Sequence, residues 1–180
     1  AMGVATKSLP MLQKVARLSA EIFKRYGKAY KRTKEDQWDY YIQVKQLLSV
    51  FKELGIKFGD PPVPPKWTLE KPELFGAYLA GIIDGDGCVA VKRPKYPQCM
   101  IKITSGSKQV ALSEAITEIL KCSVYLSKHS YRKHFVKKFG RFIEGSWYTL
   151  DFYVSKKTVR FISDFVIPHL QLIYKKERLT

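Results

Sequence analysis

Gly76, Ala77, Ala80, Gly81 and Gly85 recur at spacings of four across the segment 72–85, and this restricts the fold more than any other stretch. Residues four apart in a helix stand one above the other, so the spacing strips a helix face of side-chain bulk. Glycine in a helix interior costs roughly 1 kcal/mol against alanine. A sequence that accepts this cost repeatedly within a few turns needs another backbone to come close, by the sterics of small-residue packing between membrane helices. The expectation is a matching helix laid along the stripe, with Pro72 in the first turn.

The surroundings are those of a packed protein. The chain has 180 residues, 46% of them hydrophobic and 13% aromatic, which argues against disorder and suits one domain or one domain with an extension. No apolar run approaches the roughly 18–20 residues of a membrane span, and AMGVATKSLP does not read as a secretory leader, so no membrane partner is expected. Cys88, Cys99 and Cys122 are odd in number and lack C-x-x-C spacing, which suits an intracellular, reducing compartment: the cytoplasm of a prokaryote, or an organelle. The formal charge is +16, with a pI near 9.7, and the natural partner of such a chain is a polyanion, nucleic acid first. A basic surface serving only solubility is the plainer alternative.

The proline run DPPVPPK (60–66) neither continues a helix nor fills a central strand, and marks a boundary. Three parts follow: residues 1–59 as an N-terminal helical extension, 60–70 as linker, and 71–180 as the main domain. In the extension, Leu12, Val15, Leu18, Ile22 and Tyr26 form one helical stripe, and Trp38, Tyr41, Val44, Leu48 and Phe51 suggest a second helix over 36–54. After the linker, a helix over 72–84 leads to strands 88–93 and 99–104. A helix over 107–120 follows with Ser107 as N-cap, then strands 123–130 and 146–154, then helices over 156–166 and 169–178. This order gives an α+β fold: a four-stranded antiparallel sheet with its helices on one face.

Asp84 and Asp86 sit at the C-terminal end of the first of these helices, where the helix dipole disfavours negative charge by roughly 0.3–1 kcal/mol each. Glycines flank Asp86 and expose backbone carbonyls. Carboxylate and carbonyl oxygens suit a hard cation such as Mg²⁺. Carboxylates facing a polyanion repel it unless a cation intervenes, the arrangement of a metal-assisted phosphodiesterase. The same residues also suit a solvated D-G turn.

LAGIIDGDG (79–87) resembles the signature of the LAGLIDADG homing endonucleases at seven of nine positions, with Ile82 and Gly85 as the departures. The likeness covers roughly 71–180, in an αββαββα order. It implies a site-specific double-strand DNA endonuclease, intron-encoded in some members. An intron RNA maturase or a non-catalytic DNA-binding regulator are the alternatives on the same fold. One copy of the motif implies a homodimer, with Gly76, Ala77, Ala80, Gly81 and Asp84 at the interface. By the same resemblance Asp86 is the metal-binding and catalytic acid, and the Gly85 carbonyl also faces the metal. Mg²⁺ is expected, and Mn²⁺ or Ca²⁺ in the same sites. Ser105, beside Thr104, corresponds to the solvent-organising position, and Lys175 or Lys176 to the basic catalytic residue.

Residues 121–141 hold seven basic side chains and no acid, which suits a phosphate backbone. Strands 88–104 form a ribbon able to read a major groove. The expected contacts are Lys92, Arg93, Lys95, Gln98, Lys102, Lys128, Arg132, Lys133, Lys137, Lys138 and Arg141, on a long pseudo-palindromic double-stranded DNA target. His129, His134 and His169 do not read as a metal triad, and Cys88 and Cys122 read as small core residues.

Overall fold

The structure, a computed structural model, describes residues 2–33, 36–45, 47–56, 63–92, 95, 98–136 and 140–180. It divides into two compact units, Ala1–Ile56 and Lys57–Thr180. The division falls just ahead of the proline run; residues 57–62 lie outside the described residues.

The N-terminal unit holds β1 (Met2–Thr6), α1 (Leu9–Phe23), β2 (Lys28–Lys31), β3 (Trp38–Ile42) and α2 (Leu47–Glu53). Ser8 caps α1, its hydroxyl accepting from the Met11 amide at 3.3 Å, and Pro10 occupies the first turn. The strands form an antiparallel sheet in the order β1-β3-β2. Its core is small: Leu12, Tyr40 and Ile42, with Val15, Ala16, Phe23, Trp38 and Val44 against them. The extension is therefore not purely helical, and the helix expected over 36–54 is a strand followed by a short helix. Tyr40 and Ile42 are buried on alternate positions, the strand period, while Asp39 on the other face is buried under Arg32, whose guanidinium donates to its two oxygens at 2.6 and 3.2 Å. The helical spacing of Trp38, Tyr41 and Val44 was coincidental.

The C-terminal unit runs α3 (Lys66–Leu69), α4 (Pro72–Asp86), β4 (Gly87–Lys92), β5 (Gln98–Ser105), α5 (Val110–Leu120), β6 (Val124–Val136), β7 (Arg141–Val154) and α6 (Val159–Phe161). A π-helical segment (Ile162–Val166), a 3₁₀ turn (Ile167–His169) and α7 (Ile173–Glu177) complete it. The sheet is antiparallel with strand order β4-β5-β7-β6. Helix–strand–strand–helix–strand–strand–helix is the expected order, and the fold is α+β. Several boundaries differ. Strands β6 and β7 are longer than the expected 123–130 and 146–154. Helix α5 starts at Val110, and Ser107 is no cap but donates its amide to the Ser105 hydroxyl. The final helices are shorter and interrupted.

One sheet face and the helices enclose the core: Phe75, Leu79, Ala80 and Ile83 from α4, Ile101 and Ile103 from β5, Leu112 and Ile116 from α5, Leu150 and Phe152 from β7, and Ile162 and Val166. Each large aliphatic side chain so removed from water contributes roughly 1.5–3 kcal/mol. Gly76 lets α4 sit against the backbone of Phe165, where a Cβ would collide with that residue's carbonyl oxygen. Among the described residues, no helix is long and apolar enough to cross a membrane.

Candidate functional site

Helix α4 presents two different faces. Gly76 and Ala80 turn into the core of their own unit and are occupied there, so they are not available to a partner subunit. Ala77, Gly81 and Gly85 lie on the other side; Gly81 and Gly85 are exposed, and a Cβ at either would meet nothing within 4 Å. Spacing alone merges these faces, because intervals of four starting at 76 and at 77 are indistinguishable until the rotation of the helix is known.

The two aspartates of the motif separate in the same way. Asp84 is buried, and its carboxylate accepts from the amides of Gln171 at 2.7 Å and Leu172 at 3.3 Å. It ties the end of α4 to the start of α7 and is not at a partner-facing surface. Asp86, the last residue of α4, is exposed, as is Gly85 before it. The helix turns into β4 at Gly87, whose amide donates to the Ile83 carbonyl; a Cβ at Gly87 would lie 2.6 Å from Ile83 backbone atoms.

Beneath this tip lies Lys175, only 3% exposed, donating to the carbonyls of Ile83 at 2.6 Å and Asp84 at 2.9 Å. An ammonium at the negative end of the helix dipole is favourably placed. Burial pushes its pKa below the ordinary lysine value, opposed by the charges of Asp84, Cys88 and Asp86. The structure thus distinguishes the two candidate lysines: Lys175 supports the tip, whereas Lys176 is exposed. Since Gly87 pairs with Ile103, Ser105 falls two residues further along β5, at the sheet end where α4 delivers Asp86. Its hydroxyl accepts from the Ser107 amide at 3.2 Å, and Thr104 is exposed.

As a cation site this tip is half built. Asp86 and the Gly85 carbonyl are hard oxygen donors, but one carboxylate and one carbonyl fall short of the six that Mg²⁺ takes. Among the described residues, no cluster of three or more His, Cys, Asp or Glu could hold a metal.

The sheet face away from the helices carries Cys88, Gln98, Met100, Lys102, Thr104, Tyr125, Ser127, His129, Trp147, Thr149, Asp151 and Tyr153 by the alternation of the strands. Gln98 is exposed there; Lys102 is half-buried and ion-paired with Asp151 at 3.5 Å. Lys128 is exposed but shares its face with Val124 and Leu126, the helix side. Lys95 and Arg141 are exposed, and Lys92 ends β4 opposite Gln98. Arg132 and Lys133 fall at the irregularity of β6 between Tyr131 and His134. Arg93, Lys137 and Lys138 lie outside the described residues.

One assignment changes on this face. Cys88 is exposed, opposite Lys102, rather than in the core. Cys99 and Cys122 are half-buried, and burial raises both thiols above the ordinary cysteine value. His129 lies within β6: its Nε2 is 3.0 Å from the Thr149 hydroxyl, and its ring stacks on Trp147 at 5.3 Å. Only the β6–β7 register brings these three together, and no local pattern signals it.

No protein-family model and no curated protein sequence matches the chain. Solved structures do. A mesophilic variant of the homing endonuclease I-DmoI is similar with a TM-score of 0.54 at 13% identity, over 91% of this chain and 78% of that one. I-DmoI in complex with DNA and Ca gives 0.52 at 11%, over 91% and 73%. The I-LtrWI LAGLIDADG homing endonuclease bound to target DNA gives 0.50 at 16%, over 93% and 70%. The fold of this chain is that of the LAGLIDADG homing endonucleases, and the similarity extends beyond the C-terminal unit.

Proposed function

We propose that this protein is a site-specific double-strand DNA endonuclease of the homing type, cutting phosphodiesters with divalent metal. The observation that carries this reading is an exposed Asp86 carboxylate at the tip of a glycine-faced helix, above a buried Lys175, in a chain of formal charge +16. Asp86 and the Gly85 carbonyl would hold the ion. Bound there, Mg²⁺ (or Mn²⁺ or Ca²⁺ in its place) supplies Lewis-acid polarisation of a phosphate oxygen and a more acidic water. Lys175 holds the last carbonyls of α4 in place and adds positive charge beneath the scissile phosphate, where charge develops in the transition state. The Ser105 hydroxyl lies at the same end of the sheet and orients solvent toward the phosphate.

A single tip offers one carboxylate, so a second helix of this design has to come alongside Ala77, Gly81 and Gly85. A homodimer would provide it as a second α4 across a twofold axis, on a pseudo-palindromic target. The sheet face bearing Gln98, Lys102 and Tyr153 reads the duplex, with the exposed Lys95 and Arg141 on phosphates.

The test is cleavage of a randomised DNA library with and without Mg²⁺, repeated with Asp86→Asn. Metal-dependent cutting at a defined site is expected, with the variant binding that site while cutting at least about a hundredfold more slowly. Equal cutting by the variant would sink the proposal. Specific binding without cleavage by the unaltered chain would instead favour a regulator, and preference for structured RNA a maturase.

A further inference from the structure

The small sheet of the N-terminal unit has one packed face and one open face. Helix α1 sets Leu12 on the face of Tyr40 and Ile42. By strand alternation and register, the opposite face carries Gly3 and Ala5 of β1, Lys28 and Tyr30 of β2, and Asp39 and Tyr41 of β3. All of these except Asp39 are exposed, Tyr30 by 50% and Tyr41 by 42%. The two rings form an ordered platform. Tyr41 lies across Gly3, where a Cβ would come within 2.6 Å of the ring, so glycine is what lets the ring lie down on the sheet. Tyr30 stacks on Tyr41 with centroids 5.9 Å apart and an interplanar angle of 17°. On this face β1 adds nothing larger than the methyl group of Ala5.

The charge around the platform is positive. Lys28 stands directly opposite Tyr41 on the same face, and Arg32 neutralises the buried Asp39 carboxylate beside Tyr30. Residues 1–56 as a whole hold 11 Lys and Arg against 5 Asp and Glu. Flat aromatic area and a neighbouring cation match the two halves of a nucleotide: a base stacks its face on a ring, and its phosphate is drawn to an ammonium. A duplex does not offer the first half, since its base faces are spent on one another and only edges show in the grooves. An unpaired strand does. The same positive charge disfavours an ordinary apolar protein segment as the occupant.

We infer that this open face is a binding site for single-stranded RNA, with unpaired bases stacked on Tyr30 and Tyr41 and a neighbouring phosphate on Lys28. RNA is the source because its loops and ends ordinarily display unpaired bases, whereas chromosomal DNA keeps them paired. The site lies wholly within the N-terminal unit. It goes beyond the endonuclease reading and holds whether or not the C-terminal unit cuts DNA.

The test titrates the full chain, in EDTA, onto a fluorescein-labelled oligouridine of about 12 nucleotides, with oligothymidine and an RNA duplex of the same length alongside. Saturable binding of the oligouridine is expected, with slower amide exchange across β2 and β3. Tyr30→Ala combined with Tyr41→Ala should weaken binding at least about tenfold and leave its salt dependence unchanged. Phenylalanine at both positions should keep the affinity within about twofold, because the ring face is what stacks. Lys28→Ala should instead flatten the slope of log affinity against log salt by about 0.7. Tyr30→Ala alone, on a strand exposed throughout, guards against a sheet loosened by losing Tyr41 and should cost about fivefold. Unchanged affinity in both alanine variants overturns the inference, and so does binding that leaves exchange in β2 and β3 unaltered. A duplex bound as tightly through the same tyrosines overturns the claim for unpaired bases. Oligothymidine bound more than about tenfold tighter than oligouridine overturns the claim for RNA. Neither duplex DNA nor metal enters the assay, so an inactive endonuclease leaves the inference standing.

Discussion

The Nζ of Lys175 donates to the main-chain carbonyl of Asp84 at 2.9 Å, from a position almost closed to water. The ammonium thus neutralises the end of α4, while the Asp84 carboxylate reaches the other way to the amides of Gln171 and Leu172. Helix tip and α7 are locked together by charges facing opposite directions, and Asp86 is left to solvent.

Burial lowers the Lys175 pKa, so between its folded value and the ordinary 10.5 the unfolded chain binds more protons than the folded one. Stability then rises with pH across that window. The wild type is expected to gain on Lys175→Met as pH climbs from neutrality toward 10.5, because the neutral amine still donates to the carbonyls of Ile83 and Asp84. Paired urea titrations across this range check it; a constant difference between the two proteins would refute it.

Asp84→Asn turns one accepting oxygen into a carboxamide NH₂ that faces a backbone N–H. One of two bonds is lost and a buried donor is left unmatched, at a cost of about 1–3 kcal/mol. The urea midpoint should fall with its slope unchanged. A midpoint equal to that of the wild type would mean that the contact to Gln171 and Leu172 contributes nothing.

What the sequence disclosed follows from the range of the interactions involved. The motif helix, its Pro72 start and the order of strands after it are local: periodicity and Gly87 suffice to place them. Which way α4 is turned is not local, since Gly76 meets Phe165 some ninety residues on. The His129–Thr149–Trp147 group depends on strand register in the same way. The strand at Trp38–Ile42 was missed for another reason. Its aromatic spacing satisfies a helix, and the stronger signal was the echo of Asp39-Tyr40-Tyr41-Ile42 in Asp151-Phe152-Tyr153-Val154, visible only when the chain is compared with itself.

The two faces of α4 should respond oppositely to the same substitution. Gly76→Ala drives a Cβ into the Phe165 carbonyl and is expected to destabilise the C-terminal unit by about 1–3 kcal/mol. Gly81→Ala meets nothing, and better helix propensity should stabilise the isolated chain by up to roughly 1 kcal/mol. Its effect belongs to assembly: cleavage should drop because the second helix is held off. Thermal melts and cleavage rates measured on both variants separate the faces; destabilisation by Gly81→Ala would show that this side already packs within the subunit.

Arg32 covers an Asp39 carboxylate whose side chain is only 3% exposed, while its own side chain is 41% exposed. Arg32→Met strands that carboxylate. Loss of one partner from a fully buried pair costs about 3–5 kcal/mol, but water reaches the arginine, so a penalty of roughly 1–3 kcal/mol is expected. The loss should fall on β2 and β3, read as faster amide exchange over residues 28–31 and 38–42, with β5 and β7 of the other unit unaffected. Lys102→Met, at the Lys102–Asp151 pair of the other sheet, is the control. There the separation is 3.5 Å and Asp151 is 19% exposed, so the cost should be smaller. If the two substitutions cost the same, the tighter geometry at Asp39 has no energetic consequence.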